Sequence, residues 1–162
     1  MVGQSYNYQY EKQRVFFMID SKSFYASVES VDLGLNPLRS ILVVMSEQAN
    51  TNGGLVLAAS PMAKKNLGAS NIMRQRDLPR DKKLIIVHPR MNLYIQENLR
   101  INSIYREYTT EEKLLAYSID ESLLDVTDTW DFFGDSPEIV ARKIQERVRK
   151  ETGIYLTVGI GD

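Results

Sequence analysis

The order of the apolar segments limits the fold of this chain more than any other feature of its sequence. Apolar runs with strand-like patterning alternate with segments whose apolar residues recur at i, i+3, i+4 and i+7, the spacing of one helix face. We predict a strand, a helix, a hairpin, a helix and a strand, in that order, at residues 15–20, 90–108, 114–126, 136–153 and 154–160. This order is the split βαβ arrangement of ferredoxin-like folds. We therefore expect an α+β fold with an antiparallel sheet.

A second, smaller unit interrupts this series after the first strand. Residues 23–83 predict a helix capped by Ser23, a hairpin and a second, short helix. We expect this segment to form an inserted α/β lobe. The larger lobe then consists of residues 15–22 and 84–162, and its second part begins with a predicted buried strand at residues 84–87.

Composition excludes several classes of protein. The chain has no cysteine, so disulfide bonds and zinc–thiolate sites are excluded. No apolar run approaches the roughly 20 residues of a membrane helix. Residues 1–14, which we interpret as a polar leader, lack the pattern of a secretory signal. We expect a cytoplasmic protein with no membrane partner.

Charge is distributed unevenly along the chain. The net charge of -1 argues against a general electrostatic affinity for nucleic acid. Lys and Arg nevertheless dominate residues 62–90, and Asp and Glu dominate residues 107–138. This arrangement suits a protein that brings metal ions to phosphates, although two solvated faces would give the same pattern.

Three acids follow apolar runs at positions that the predicted sheet brings together. Asp20 ends the first strand, and Asp120 and Glu121 occupy the tip of the hairpin. Since consecutive strand residues point to opposite faces, Asp120 and Glu121 can serve one site only where the backbone turns. Adjacent strands lie about 4.8 Å apart, so the carboxylates could bracket two Mg²⁺ ions about 4 Å apart, a spacing used in phosphoryl transfer. A strand-end residue and an ordinary polar turn are the alternatives.

Two motifs resemble those of Y-family translesion DNA polymerases. MIDSKSFYASVE, at residues 18–29, is similar to the first catalytic motif of that family, and YSIDESLLDVT, at residues 117–127, is similar to the second. Three weaker likenesses accompany them, namely LAASPMAKKNLG, VHPRMNLYIQ and TVGIGD. The pattern looks closest to the bacterial UV-damage-repair, UmuC-like branch. The resemblance implies a palm domain with an inserted fingers domain, and a DNA-directed DNA polymerase that serves translesion synthesis, DNA repair and the SOS response.

The resemblance assigns roles at the matching positions. It implies that Asp20, Asp120 and Glu121 are catalytic and bind two Mg²⁺ ions, with the backbone carbonyl of Ser21 as a further ligand. It implies a nucleotide-binding group that comprises Tyr25, as the steric gate against a ribose 2′-hydroxyl, with Phe24, Lys64 and Lys65. Either lysine could meet the triphosphate, and Phe24 also suits the core. The implied partners are primer-template DNA, deoxynucleoside triphosphates and a sliding clamp.

The chain departs from the family pattern at two positions. Pro61 stands where many members carry a tyrosine, and Ala58 stands where a hydroxyl residue is common. Both departures weaken the expected hold on a triphosphate. The resemblance also implies a thumb and a further DNA-binding domain beyond Asp162. We therefore expect the palm and fingers of a longer polymerase, with little or no activity alone and with the clamp contact in the missing region.

Two other functions fit parts of the pattern. A palm-type nucleotidyl cyclase also places acids after its first strand and at a hairpin tip, but it normally has two glycines where this chain has Ser118 and Ile119. An RRM-like, non-catalytic nucleic-acid-binding module shares the order of elements and could use Phe16 and Phe17 as platform aromatics. Its central strand would carry aromatic residues where this chain has acids that repel RNA.

Overall fold

The computed structural model describes residues 13–47, 54–71 and 73–162. Besides short 3₁₀ turns, these residues form seven strands and four α-helices. In chain order the elements are β1 (Phe16–Ser21), α1 (Phe24–Asp32), β2 (Leu42–Met45), β3 (Val56–Ala59), α2 (Pro61–Leu67), β4 (Ile85–Val87), α3 (Met91–Tyr105), β5 (Leu114–Ala116), β6 (Glu121–Asp125), α4 (Pro137–Thr152) and β7 (Leu156–Gly161). The polar leader predicted at residues 1–14 lies outside the described residues, except for its last two positions.

The larger sheet has four strands in the order β5–β6–β1–β7, and each neighbouring pair is antiparallel. Side chains of β1 alternate between its faces, as in any pleated strand. Phe17 and Ile19 are almost fully buried, whereas Met18 between them is 46% exposed. α3 and α4 cover the buried face, where their apolar stripes form the main core with β1 and β6. The predicted antiparallel, ferredoxin-like α+β architecture is confirmed, and Asp20 lies on the open face.

The smaller sheet has three strands in the order β3–β2–β4. β2 pairs antiparallel with β3 and parallel with β4, and all four of its residues are buried because both faces of the sheet are covered. Val43 and Met45 pack in the core that includes α2, while Leu42 and Val44 pack against Ala26 of α1. α1 thus contributes to the cores of both sheets.

Strand pairing and core packing divide the chain differently from the predicted lobes at two places. β4, predicted as a buried strand of the larger lobe, pairs with β2 in the smaller sheet, and its Ile86 is 39% exposed. α1, predicted within the inserted lobe, places Phe24 and Val28 in the core of the larger sheet. A short apolar run does not specify which distant strand it pairs with, and this explains the difference at β4. Division into palm and fingers domains stays a prediction.

Helix ends follow local signals in two of the four helices, α2 and α4. Ser60 and Ser136 cap α2 and α4, each accepting a hydrogen bond from a backbone amide three residues later. Gly153 ends α4 with a φ of 77°, a backbone conformation that favours glycine. The predicted cap of α1 is wrong: Ser23 has a φ of 46° and makes no side-chain hydrogen bond to the helix. Within the described ranges, no helix combines the length and apolar character needed to cross a membrane.

Candidate active site

A cavity of about 420 Å³ opens where β1, the β5–β6 turn, α1 and the smaller sheet meet. It gathers seven of the eight residues that the sequence proposes for the site, namely Asp20, Ser21, Phe24, Tyr25, Lys64, Asp120 and Glu121. Lys65, the eighth, is exposed and is not among the residues lining this cavity. Of the two lysines, Lys64 lines the cavity together with the acids, and which lysine meets a triphosphate stays a prediction.

The acids come together through the register of the central strands. Asp20 of β1 lies directly opposite Glu121 of β6. Directly opposed residues of an antiparallel pair point to the same face, with Cβ atoms about 5 Å apart. Both carboxylates therefore project from the open face of the larger sheet.

Asp120 reaches the same cavity because the chain turns immediately before β6. The backbone amides of Tyr117 and Ser118 both donate to the Glu121 carbonyl, at 3.0 and 3.3 Å. The first strand of the hairpin predicted at residues 114–126 consequently ends at Ala116. The turn supplies the change of direction that two consecutive acids need to serve one site. The Ser21 amide also donates to the Asp120 carbonyl at 2.8 Å, which ties the turn to β1.

The electrostatic environment of Asp20 favours a bound cation. Burial raises the pKa of the Asp20 carboxyl above its usual range, and the nearby charges of Asp120 and Glu121 raise it further. Lys64 and Lys22 act in the opposite direction and lower that pKa. Mutually repelling carboxylates beside one cavity are stabilised by a divalent cation, which offsets their repulsion.

The donor set fits Mg²⁺ in its chemistry and in its placement at one cavity. Carboxylate oxygens are hard ligands, which Mg²⁺ prefers over nitrogen or sulfur. Among the residues that the structure describes, however, no group of three or more His, Cys, Asp or Glu side chains is already arranged to hold a metal ion. One oxygen of Asp120 accepts a hydrogen bond from its neighbour Ser118 at 2.8 Å.

Tyr25 is half-buried beside the acids and rests against a second aromatic ring. Its ring stacks on that of Tyr94 in α3, with centroids 4.5 Å apart and planes inclined by 16°. Tyr94 is fully buried and donates to Glu29 through its hydroxyl at 2.6 Å. Phe24 lies one residue earlier, about 100° round the helix, and is 3% exposed. Phe24 therefore belongs to the core and only borders the cavity.

Lys64 lies on α2, on the side of the cavity that the smaller sheet forms. Its ammonium group donates to the Ser23 hydroxyl at 3.2 Å. Ser23 is the residue with φ 46°, and left-handed backbone is strained for a residue other than glycine. The hydroxyl that the sequence predicted as a helix cap therefore faces the cavity and holds Lys64.

Sequence reasoning missed several residues that border or support the site. Ser23, Leu57 and Asn71 line the cavity. Beneath Ser21, the buried phenol of Tyr105 shares a side-chain hydrogen bond with it. Burial raises the pKa of Tyr105, whereas the bond to Ser21 lowers it. Ser23 and Leu57 fall within motifs quoted from the sequence, but the resemblance assigned them no role in the site. Asn71 and Tyr105 lie outside those motifs, and only tertiary packing brings them near the site.

Residues 19–162 match the sequence model of the impB/mucB/samB family. The chain belongs to this family. Among curated relatives, a putative UV-damage repair protein UvrX of Bacillus subtilis is 40% identical over 144 residues, which are 89% of this chain and 33% of the relative. DNA polymerase IV 2 of the same organism is 39% identical over 153 residues, 93% of this chain and 35% of the relative. This impB/mucB/samB chain thus spans about a third of the length of these relatives.

Solved structures agree with the family assignment. The crystal structure of DinB from Sulfolobus solfataricus superposes with a TM-score of 0.75 at 27% identity, covering 91% of this chain and 42% of the other. An insertion ternary complex of Dbh DNA polymerase gives a TM-score of 0.74 at 26% identity, again over 91% and 42% of the two chains. The resemblance to Y-family polymerases is therefore confirmed. The cyclase and RRM-like alternatives are not favoured, and Phe17, a platform aromatic in the latter, is fully buried.

Proposed function

We propose that this impB/mucB/samB chain supplies the palm and fingers of a DNA-directed DNA polymerase that carries out translesion synthesis in DNA repair, including the SOS response. The observation that supports it most is the opposition of Asp20 and Glu121 across β1 and β6, with Asp120 beside them in the same cavity. Family membership and the names of the relatives support the same activity.

Asp20, Asp120 and Glu121 are the residues that would hold two Mg²⁺ ions, with the Ser21 carbonyl as a backbone ligand. Bound metal ions would favour loss of the proton from the attacking 3′-hydroxyl and offset the negative charge on the leaving pyrophosphate. The protein's own contribution is placement. β1 and the turn before β6 bring the three carboxylates to one edge of the cavity, and the bond from the Ser21 amide to the Asp120 carbonyl keeps them together.

The other residues of the cavity orient the incoming nucleotide. Lys64 provides a positive charge on the side opposite the acids, suited to a triphosphate. Tyr25 acts as a steric gate below the sugar. The stacked Tyr94 ring behind it limits movement of the Tyr25 side chain away from the sugar. Phe24 supports the backbone of this helix turn from the core.

The proposed partners follow from the activity. Primer-template DNA and deoxynucleoside triphosphates are the substrates, and a sliding clamp is reached through a further region of the full-length polymerase. The similar insertion ternary complex of Dbh DNA polymerase supports a DNA substrate. A cytoplasmic location without a membrane partner remains part of this proposal.

A chimera tests the assignment. In it, residues 13–162 replace the matching part of DNA polymerase IV 2 of Bacillus subtilis, and primer extension with Mg²⁺ is measured for the parent and for Asp120→Ala. Because a metal ligand is lost, we expect extension to fall by about 100-fold or more. Asp131→Ala, an exposed acid outside the cavity, is the matched control and should stay within twofold. An Asp120→Ala chimera that retains more than a tenth of the parent rate contradicts the metal assignment.

A further inference from the structure

The turn that carries Asp120 and Glu121, called the acidic turn below, is anchored to helix α3 on both sides of these two residues. Immediately before Asp120, the Ile119 backbone carbonyl accepts a hydrogen bond from Asn98 Nδ2 at 2.5 Å. Immediately after Glu121, the Ser122 hydroxyl donates to Asn102 Oδ1 at 3.3 Å. One helix therefore holds the chain at the residues that flank Asp120 and Glu121.

These anchors form one connected and mostly buried network. Asn102 and Ser122 are 5% and 4% exposed. Asn102 Nδ2 donates to the Asn98 backbone carbonyl at 2.9 Å, and the two asparagines, four residues apart, share a face of α3. A buried polar group costs free energy unless it is hydrogen-bonded, so each bond in the network favours a single placement of the turn.

Other bonds at the turn tie it to β1 and to itself, but not to α3. The Ser21 amide donates to the Asp120 carbonyl at 2.8 Å, which joins the turn to β1. The amides of Tyr117 and Ser118 bind the Glu121 carbonyl, which shapes the turn internally without relating it to any helix. Asparagine is also a weaker helix former than alanine, so helix formation alone does not favour asparagine at positions 98 and 102. The side-chain amides contribute through their contacts with the turn.

We propose that Asn98 and Asn102 are positioning residues that set the cation affinity of the acidic turn by holding Asp120 and Glu121 opposite Asp20. This inference rests on the proposed function, because it concerns the same carboxylates. The two asparagines touch no substrate and act only through Ile119 and Ser122.

The test measures binding of Mn²⁺ alone to the 162-residue chain, by electron paramagnetic resonance titration of the free ion. Mn²⁺ suits carboxylate ligands as Mg²⁺ does and gives a direct signal. Asn98→Ala should weaken Mn²⁺ binding about tenfold, the usual scale for losing a group that orients metal ligands. In Asn98→Ala, the backbone amides of residues 119–122 should also show faster hydrogen–deuterium exchange than in the parent. Asn92→Ala, an exposed asparagine of the same helix, is the matched control and should stay within twofold.

Two further variants, Ser122→Ala and Asp120→Asn, separate a failure of the positioning role from a failure of the proposed metal site. Ser122→Ala removes the second anchor with little change in volume, and it should also weaken Mn²⁺ binding; it replaces Asn98→Ala if that variant does not fold. If Asp120→Asn weakens Mn²⁺ binding while Asn98→Ala and Ser122→Ala both stay within twofold of the parent, the positioning role is wrong and the proposed metal site stands. If Asp120→Asn itself leaves Mn²⁺ binding unchanged, the proposed site is wrong and the positioning role is overturned with it.

Discussion

At the scale of single residues, the position of Tyr25 depends on groups that never reach the cavity. Its ring stacks on Tyr94, and the Tyr94 hydroxyl is bound by Glu29, a carboxylate that is 2% exposed. Stacked aromatic pairs contribute about 1 kcal/mol beyond the area they bury. Tyr94 consequently supports the Tyr25 ring from the side that faces away from the cavity.

Replacing Tyr25 by alanine should abolish the gate. In the chimeric polymerase, we expect the ratio of kcat/KM for dATP over ATP to fall by about tenfold or more, because the ring no longer occupies the space of a 2′-hydroxyl. Single-nucleotide primer extension measures this ratio. Phe132→Ala, which removes an aromatic ring that is 81% exposed, should leave it unchanged. An unaltered ratio in Tyr25→Ala would remove the gate from the mechanism.

Asp20 makes stability depend on pH. Its folded-state pKa is raised by burial and by Asp120 and Glu121, so the ionised carboxylate is disfavoured in the folded chain. The associated stability is present below the unfolded pKa of about 3.9 and is lost as pH rises through the folded value. Asp20→Asn should therefore raise Tm at pH 7 by on the order of 1–2 °C at low salt and change it less at pH 3, since solvent screens much of the charge of this only partly buried group.

Thermal denaturation followed by circular dichroism at the two pH values tests the Asp20 effect. Asp131→Asn, which removes an exposed acid outside the cavity, should give no such difference between them. An equal Tm increase at pH 3 and pH 7 for Asp20→Asn would show that packing, and not charge, is responsible.

At the scale of elements, a polar contact joins α1 to α3 behind the cavity. Arg90, just before α3, binds both oxygens of Glu29 with its guanidinium, and it also donates to Asp32 at 2.8 Å. The hydrogen bond to Glu29 is the largest of the effects that raise the pKa of Arg90, which keeps it charged. Removing one partner of such a pair leaves the other charge buried and uncompensated.

Arg90→Ala should therefore destabilise the fold by about 3 kcal/mol, measured by urea unfolding. Arg142→Ala, an exposed arginine of α4, is the control and should cost less than about 0.5 kcal/mol. A loss for Arg90→Ala as small as that of the control would mean that Glu29 is satisfied without the arginine.

Local signals in the sequence predict the elements better than their partners. The limits of α4 could be predicted from its apolar period together with Ser136 and Gly153 at its ends, because helix ends depend on neighbouring residues. The pairing of β4 with β2 was missed, since its three apolar residues give no information about a strand some forty positions away. In the site, the acids were predictable from their motifs, whereas Asn98 and Tyr94 act through contacts that only the packed helices create.

At the scale of the whole molecule, the cavity exists because α1 joins two sheets. Residues from its first turn line the cavity, and the helix packs in the cores of both sheets, so the acids of the larger sheet and Lys64 of the smaller lobe face each other across one space. Opposite charges on two such walls suit a ligand that carries both metal ions and phosphates.

Anomalous X-ray diffraction from crystals of the chain grown with Mn²⁺ shows whether Asp20 and Glu121 hold a metal ion in the cavity. We predict anomalous density in the cavity, within ligand distance of the carboxylates of Asp20 and Glu121 and beside Tyr25. Density found only elsewhere, for example along the exposed acids Asp128 to Asp135, with Asp20 making no contact to any ion, would mean that these carboxylates do not form the metal site.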